Sequence, residues 1–327
     1  MSTSPSHPTS ILILGSGELG SAILRALVAH PSYNPAVTTK LAILRRPESL
    51  ASSSSSPSSL ATPRGPVPLA CEAADLARDP VASLAAVFRG YDVVVHAGGF
   101  AAPRGTLLRV AEAAVQAGVR RFFPWQFGAD YEAVAAAAAE RSGHGELLGE
   151  MLAVRKLLRG QRGTRWTVVS AGLFMSFLFL GGFGVVDLAG RKVRALGGWE
   201  TKVTVTEAEG IGRMVAEMVF CPGEEMGGES GVVYVAGDTV SYAEVAEIVE
   251  EVYGGGFERE VLDLARLEKR IVQEPADVMP KYQHMFGAGI GVSWDKEKTV
   301  NYRRGIRLTS LREYVERNKD ALADRNR

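Results

Sequence analysis

The stretch Ser10-Ile-Leu-Ile-Leu-Gly15-Ser-Gly-Glu-Leu-Gly20 decides how this chain is read. Its first half is an unbroken apolar run, as expected of a short strand buried on both faces. Its second half is a Gly-x-Gly-x-x-Gly turn. From Gly17 to His30, Leu19, Ile23, Ala26 and Leu27 recur at the spacing of one helix face. In that strand, turn and helix setting each glycine has its own task. Gly15 permits the tight turn, Gly17 lets the backbone approach a pyrophosphate, and Gly20 lets helix and strand pack closely, while the helix N-terminus offers N–H groups and partial positive charge to the phosphates. Ser16, Glu18 and Leu19 complete the expected dinucleotide-binding set. A glycine-rich turn serving packing alone is the competing reading.

Working outward, Leu41-Ala-Ile-Leu44 is a second apolar run, and Val93-Val-Val95 and Arg121-Phe-Phe123 continue the series. Ala-rich helical stretches at Leu84 to Phe88 and Leu107 to Ala117 alternate with them. This βαβ rhythm predicts an α/β fold, a Rossmann-type doubly wound parallel sheet, over residues 1–172. Residues 173–327 are expected to form mainly a smaller substrate-binding lobe, with some strands returning to the core: Trp166 to Ser170, Val203 to Thr206 and Val232 to Val235 read as strands, and Tyr242 to Val252 as an amphipathic helix. The serine-rich segment 52–59 is expected to be a mobile surface loop. An NAD enzyme places Asp or Glu at the end of the second strand to hold the ribose hydroxyls; here stand Arg45 and Arg46. Guanidinium groups bond a 2′-phosphate in charge-assisted pairs, so NADP(H) is expected as cofactor. A solvated basic strand end is the alternative. Gly98-Gly99 is placed to let backbone pass near the cofactor, Asp75 to touch the adenine; both also fit ordinary turn chemistry.

Composition excludes other classes. With 37 basic and 37 acidic residues among 327, no large field exists to hold nucleic acid or an anionic membrane, and 46% apolar residues suit a folded chain with a large core. No apolar run reaches the roughly 18 residues of a membrane span, and the polar N-terminus is unlike a secretory leader, so a cytoplasmic protein is expected. Cys71 and Cys221 lack metal-ligand spacing and the five histidines are scattered, which predicts no metal site. The expected partner is a small-molecule substrate, the expected state a monomer or homodimer.

Several segments together resemble the NmrA-like and isoflavone-reductase-like atypical short-chain dehydrogenases, in particular their fungal CipA-like branch. They are Gly15 to Gly20, Ala117 to Tyr131 with its Phe123-Pro-Trp-Gln-Phe-Gly128, Trp166 to Phe179, Phe183 to Asp187, Ala195 to Trp199, and Gly291 to Asn301. The resemblance spans nearly the whole chain. It implies an NADPH-dependent reductase of aromatic or polyketide-like small molecules, often in secondary metabolism. It further implies that the stretch Phe123 to Gly128, which in relatives reads Phe-Pro-Ser-Glu-Phe-Gly, borders nicotinamide and substrate. Gln126 and Phe127 then join the cofactor site, and Trp125 and Phe174 the substrate site.

Relatives also carry a lysine three residues before a Val-Arg pair. Val154-Arg155 fixes that register, and the position holds Met151. Lys156 lies five residues on, about 140° around a helix, and faces elsewhere. An ammonium there holds the nicotinamide ribose and moves a proton; methionine does neither and can only shape the pocket against substrate. The Tyr-x-x-x-Lys pair is missing too, since Ala135 stands four residues after Tyr131. Tyr131 and His144 lead the candidates for a replacement acid, followed by Asp130 and Gln126. His96 is expected near the cofactor edge and His284 in the C-terminal lobe. Three readings stay open: a reductase acting on an activated C=N or C=C centre; a redox-neutral isomerase, dehydratase or cyclase that uses NADP(H); and an NADP-sensing regulator without turnover.

Overall fold

The strand at Ser10–Leu14 (β1) is buried along nearly its whole length, and around it a seven-stranded sheet is built. In this computed structural model the described residues are 7–48, 59–62, 65–99, 102–138, 145–226, 228 and 230–325. The other sheet strands are Lys40–Arg45 (β2), Ala70–Ala73 (β3), Val93–His96 (β4), Arg121–Phe123 (β5), Arg165–Ser170 (β6) and Gly231–Tyr234 (β7). Their order is β7-β6-β5-β4-β1-β2-β3, and the paired registers from β3 to β6 are all parallel. A sheet wound outward in both directions from β1 is the doubly wound Rossmann arrangement, which opens a crevice at the carboxyl ends of its strands.

The chain divides into two units. The first comprises residues up to Gln126, Glu150–Val169 and Ile211–Val233; the second comprises Phe127–Gly149, Ser170–Gly210 and the chain from Tyr234 onward. The chain thus passes several times between the units. Helices Glu18–Ala29 (α1), Val81–Phe88 (α2) and Thr106–Ala117 (α3) belong to the first unit. So does most of Ala208–Phe220 (α6). The reason α6 returns is visible at Gly212: a Cβ there would lie 2.8 Å from the carbonyl carbon and oxygen of Ala22, so only glycine lets α6 pass so close to α1. Arg121 fixes the far end of α6. Its buried guanidinium donates to the carbonyls of Met218 (2.7 Å) and Met226 (3.2 Å) and to Thr167 Oγ1 (3.0 Å). Burial, with Arg165 and Arg120 nearby, brings its pKa down to about 10, which leaves it charged at neutral pH.

In the second unit, Tyr131–Ala138 (α4) begins at Asp130, whose Oδ1 accepts the amides of Glu132 and Ala133 as a helix cap. Gly172, at φ +73°, sits where a Cβ would meet the Thr204 carbonyl oxygen at 2.1 Å. A small sheet joins Val186–Asp187, Lys192–Leu196 and Glu258–Leu262, and Tyr242–Tyr253 (α7) opens on a capping box between Ser241 and Glu244. Of the serine-rich segment expected to be a loop, only Ser59 lies among the described residues, in a short strand. His144 lies outside them. Gly145–Arg159 (α5) crosses from the second unit into the first at Glu150. No helix among the described residues is long and apolar enough to cross a membrane.

Candidate dinucleotide-binding site

The turn after β1 is shaped by contacts that tolerate only glycine. Gly15 has φ +112°, and a Cβ on it would lie 3.0 Å from Gly98 Cα; a Cβ on Gly20 would lie 2.1 Å from the Gly15 carbonyl oxygen. Gly17 is different. It is exposed, stands at φ −74° and ψ −165°, and its Cβ would meet nothing within 4 Å among the described residues. It caps α1, whose first backbone bond runs from Ser21 N–H to Gly17 carbonyl (3.0 Å), without any side-chain acceptor at the cap. A helix N-terminus presented with open space before it is an anion-binding geometry. Ser16 and Glu18 are exposed on this turn, while Leu19 is buried and anchors the helix.

The β4 end closes the other side of the turn. His96 pairs in register with Leu14, Ala97 N–H donates to the Leu14 carbonyl (2.9 Å), and Gly98 lies exposed against Gly15. Gly99 is glycine for a second reason: a Cβ there would fall 2.5 Å from Cγ and Cδ2 of Trp125, whose indole lies on the Gly99 backbone. Trp125 thus stands in the first unit, beside the loop that leads away from the dinucleotide turn. Arg45 ends β2 half-buried and Arg46 follows exposed. Asp75 does turn work. Its Oδ1 accepts the amides of Ala77 (2.9 Å) and Arg78 (3.2 Å) in a local Asx turn, and its Oδ2 lies 3.7 Å from Arg78 Nε.

His96 is 1% exposed, and its Nε2 has no hydrogen-bond partner among the described residues. Burial is the main influence and pulls its pKa from 6.5 down to about 4, although a bond to the Gly98 backbone favours the charged ring. The ring is therefore neutral in the folded protein at pH 7. Unfolded, it ionises near 6.5, so the stability present above that pH is lost progressively as pH falls toward 4, by about 3 kcal/mol in full. Denaturant titrations between pH 7 and 4 should show this slope, and His96→Leu should flatten it; equal slopes in the two proteins would remove the assignment.

Gln126 and Met151 meet in the first unit. The Gln126 amide donates to the Met151 carbonyl (2.9 Å) and accepts from Arg155 Nε (2.7 Å). All three residues are buried, and Arg155 is among the largest fully buried side chains. Gln126 is held by structure on both ends of its amide, which argues against its side chain as a proton donor. Glu150 is a residue that sequence reasoning missed. Its carboxylate accepts the amides of Gly105 (3.1 Å) and Leu108 (3.0 Å) and so caps α3 from another helix. The available signal was Gly105 itself, a cap position with no side chain to do the work.

In the second unit, Asp130 accepts from Tyr234 Oη (2.6 Å) at Oδ2 in addition to capping α4, and its N–H donates to the Gly291 carbonyl (2.7 Å). Both carboxylate oxygens of Asp130 thus take part in structure. Tyr131 is buried with its hydroxyl against Gly128, where a Cβ would lie 2.4 Å from the phenol oxygen. Phe127 is buried at the start of this unit. Phe174 and Phe177 are half-buried and meet edge to face (6.2 Å), continuing through Phe183 (6.3 Å) to Phe286 (5.9 Å); Phe179 is core. His284 belongs to this unit, with Nε2 3.3 Å from Glu268.

Comparisons with known proteins agree with this architecture. The curated "NmrA-like family domain-containing oxidoreductase" of Gibberella moniliformis (strain M3125 / FGSC 7600) is 42% identical over 307 residues, 94% of this chain and 97% of that one. Among solved structures, an isoflavone reductase superposes with a TM-score of 0.68 at 18% identity, covering 94% of this chain and 99% of its own. The Citrobacter sp. triphenylmethane reductase, complexed with NADP(H), does so with a TM-score of 0.65 at 18% identity, covering 94% and 99%. The model of the NmrA-like family matches residues 8–315, and the chain belongs to that family.

Proposed function

We propose that the protein is an NADP(H)-dependent reductase of a small aromatic, alkaloid or polyketide-like secondary metabolite, acting at an activated C=N or C=C centre as a cytoplasmic monomer or homodimer. The observation that carries the cofactor is the open, uncapped start of α1 at Gly17, with Arg45 and Arg46 at the end of the neighbouring strand. Gly15 to Gly20 would cradle the pyrophosphate, the two arginines the 2′-phosphate, and Gly98 and Gly99 the cofactor edge. A relative named an oxidoreductase and a fold shared with a reductase complexed with NADP(H) support the same reading.

The cofactor, when bound, supplies hydride. Met151 and Gln126 bear on what accepts it, because a buried thioether and an amide held at both ends move no proton. A substrate that is already electrophilic, such as an iminium or quinone methide, needs little proton transfer with the hydride. The half-exposed phenylalanines Phe174 and Phe177 would suit a flat apolar ligand. The same methionine favours a second reading, a redox-neutral isomerase, dehydratase or cyclase in which NADP(H) returns the hydride it takes.

Deuterium at C4 of NADPH separates the two. Incubation with extract of the source organism should give a product carrying deuterium with equivalent loss of NADPH; product formation without net NADPH loss would replace the reductase by the redox-neutral enzyme. Arg45→Ser with Arg46→Ser should raise the Kd for NADPH about 10- to 100-fold, the worth of one or two charge-assisted bonds, and leave that for NADH unchanged. An equal loss for both cofactors would remove the 2′-phosphate assignment.

A further inference from the structure

At the far end of α1 from the glycine turn the fold assembles a group that no sequence spacing announces. His30, the residue that ends α1, Glu217 on α6 and Cys221 just beyond α6 place one imidazole nitrogen, one carboxylate oxygen and one thiol sulfur within 4.8 Å of one another. Glu217 and Cys221 are four residues apart, and the bond from Cys221 N–H to the Glu217 carbonyl (2.8 Å) carries the helical turn through both, so their side chains share a face. His30 is 7% exposed and stacks on Phe220 at 5.1 Å, which fixes its ring plane. Its Nε2 is buried, lies 3.4 Å from Glu217 Oε1 and makes no hydrogen bond among the described residues. A buried ring nitrogen left unsatisfied, facing a carboxylate and a thiol that are both half-buried and reachable from solvent, asks for a partner.

We propose that His30, Glu217 and Cys221 form a binding site for a divalent transition metal of the zinc class, with water as the fourth ligand. The donor set is one imidazole, one carboxylate and one thiolate, a mixture zinc accepts. Zinc–ligand bonds of about 2.0–2.3 Å set tetrahedral edges of about 3.3–3.8 Å. The His30–Glu217 edge is already 3.4 Å. The other edges, within 4.8 Å, would close by side-chain rotation of Glu217 and Cys221. Thiolate and carboxylate neutralise the ion's two charges, and binding releases the thiol proton. The imidazole must rearrange as well. Nδ1 now accepts the Ser32 amide (3.1 Å), which keeps the ring proton on Nε2; coordination moves that proton to Nδ1 and gives up the Ser32 bond. The ion would staple the end of α1 to the end of α6. The twelve residues of α1 put it about 18 Å from the dinucleotide turn, so cofactor binding and metal binding should be independent.

The test uses the full chain stripped with a chelator and titrated with Zn(II) against a chromogenic competitor, then with Co(II) alone. The expected result is saturation at one ion per chain, with a sulfur-to-cobalt charge-transfer absorption and visible bands of tetrahedral intensity. Cys221→Ser should abolish the charge-transfer absorption, and Glu217→Gln should weaken binding at least about 10- to 100-fold, the scale on which even outer-shell partners act. Both positions are half-buried, and unchanged NADPH affinity and metal-free melting temperature would show the variants to be folded. Saturation that persists in Cys221→Ser, or cobalt bound without the sulfur band, would overturn the site, and so would absence of binding to the unmutated chain.

Discussion

Gly17→Leu is expected to weaken NADPH binding by at least about 100-fold while the protein melts within a few degrees of the unmutated chain. The backbone at Gly17 stands at φ −74° and ψ −165°, a region open to any residue, and a Cβ there meets nothing within 4 Å among the described residues. Folding therefore loses little: leucine is a poorer cap than glycine, which costs up to about 1 kcal/mol. The same open space is where a pyrophosphate would approach the first amides of α1. A leucine filling it would remove two or more charge-assisted bonds, each worth about 1.5–3 kcal/mol, and the product of those losses is the expected 100-fold or more. Gly20→Ala is the contrast. Its Cβ would fall 2.1 Å from the Gly15 carbonyl oxygen, so the turn must move and melting temperature and affinity should fall together. Titration calorimetry beside thermal melts checks both. Unchanged affinity in Gly17→Leu would detach the turn from the pyrophosphate.

The contrast between these two glycines was partly legible in the sequence, and where it was not the reason is physical. Spacing named Gly15, Gly17 and Gly20 and their tasks, because strand, turn and helix are local and their apolar periods are strong. That Gly15 is pressed against Gly98, and that Gly99 seats the Trp125 indole, are contacts across roughly 25 to 80 residues, and a pair of glycines after a strand carries no mark of its partners. Strand β3 was not named as a strand from sequence: it is short, lies at the sheet edge and has most of its residues exposed. The sheet of Lys192–Leu196 and Glu258–Leu262 was hidden for a related reason: Lys192 and Arg194 face Glu258 and Glu260 in ion pairs, so charged residues interrupt both runs.

Candidate acids were harder to judge from sequence than the cofactor turn. A phosphate cradle is made by backbone, and glycine spacing reports backbone directly. A proton donor is defined by what else holds it, and that information is tertiary. Asp130 looked available until Tyr234 and two helix amides appeared on its carboxylate. Gln126 looked available until Arg155 and the Met151 carbonyl occupied its amide.

That last cluster carries the second large effect. Met151→Lys alone should destabilise the protein by about 4 kcal/mol, and the further change Gln126→Glu should recover a substantial part of the loss. Position 151 is 4% exposed, and Arg155, buried one helical turn away, is already a cation there. A lysine kept neutral at pH 7 by burial forfeits the free energy between its ordinary pKa of about 10.4 and 7, about 4–5 kcal/mol, and Arg155 pushes in the same direction. Gln126 is neutral and cannot offset the charge, whereas a carboxylate at 126 would accept from Arg155 Nε across the present 2.7 Å and add a negative charge to this buried cluster, at the loss of the bond Gln126 now donates to the Met151 carbonyl. The family resemblance implies glutamate and lysine at these two positions, and on that expectation Gln126 and Met151 form one paired replacement that removes opposite charges together. A double-mutant cycle in urea, with the m-value checked for constancy, should give a favourable coupling of about 1–3 kcal/mol; additive effects would show the two positions to be independent. Turnover supplies the functional arm. If the natural substrate is an activated electrophile that needs no proton donor, the double variant gains nothing on it, since the ammonium brings a proton no step requires and the methionine surface is lost. A rise in turnover of about tenfold or more in the double variant would mean that proton transfer limits the native reaction, and the reading of Met151 as suited to an electrophilic substrate would have to be given up.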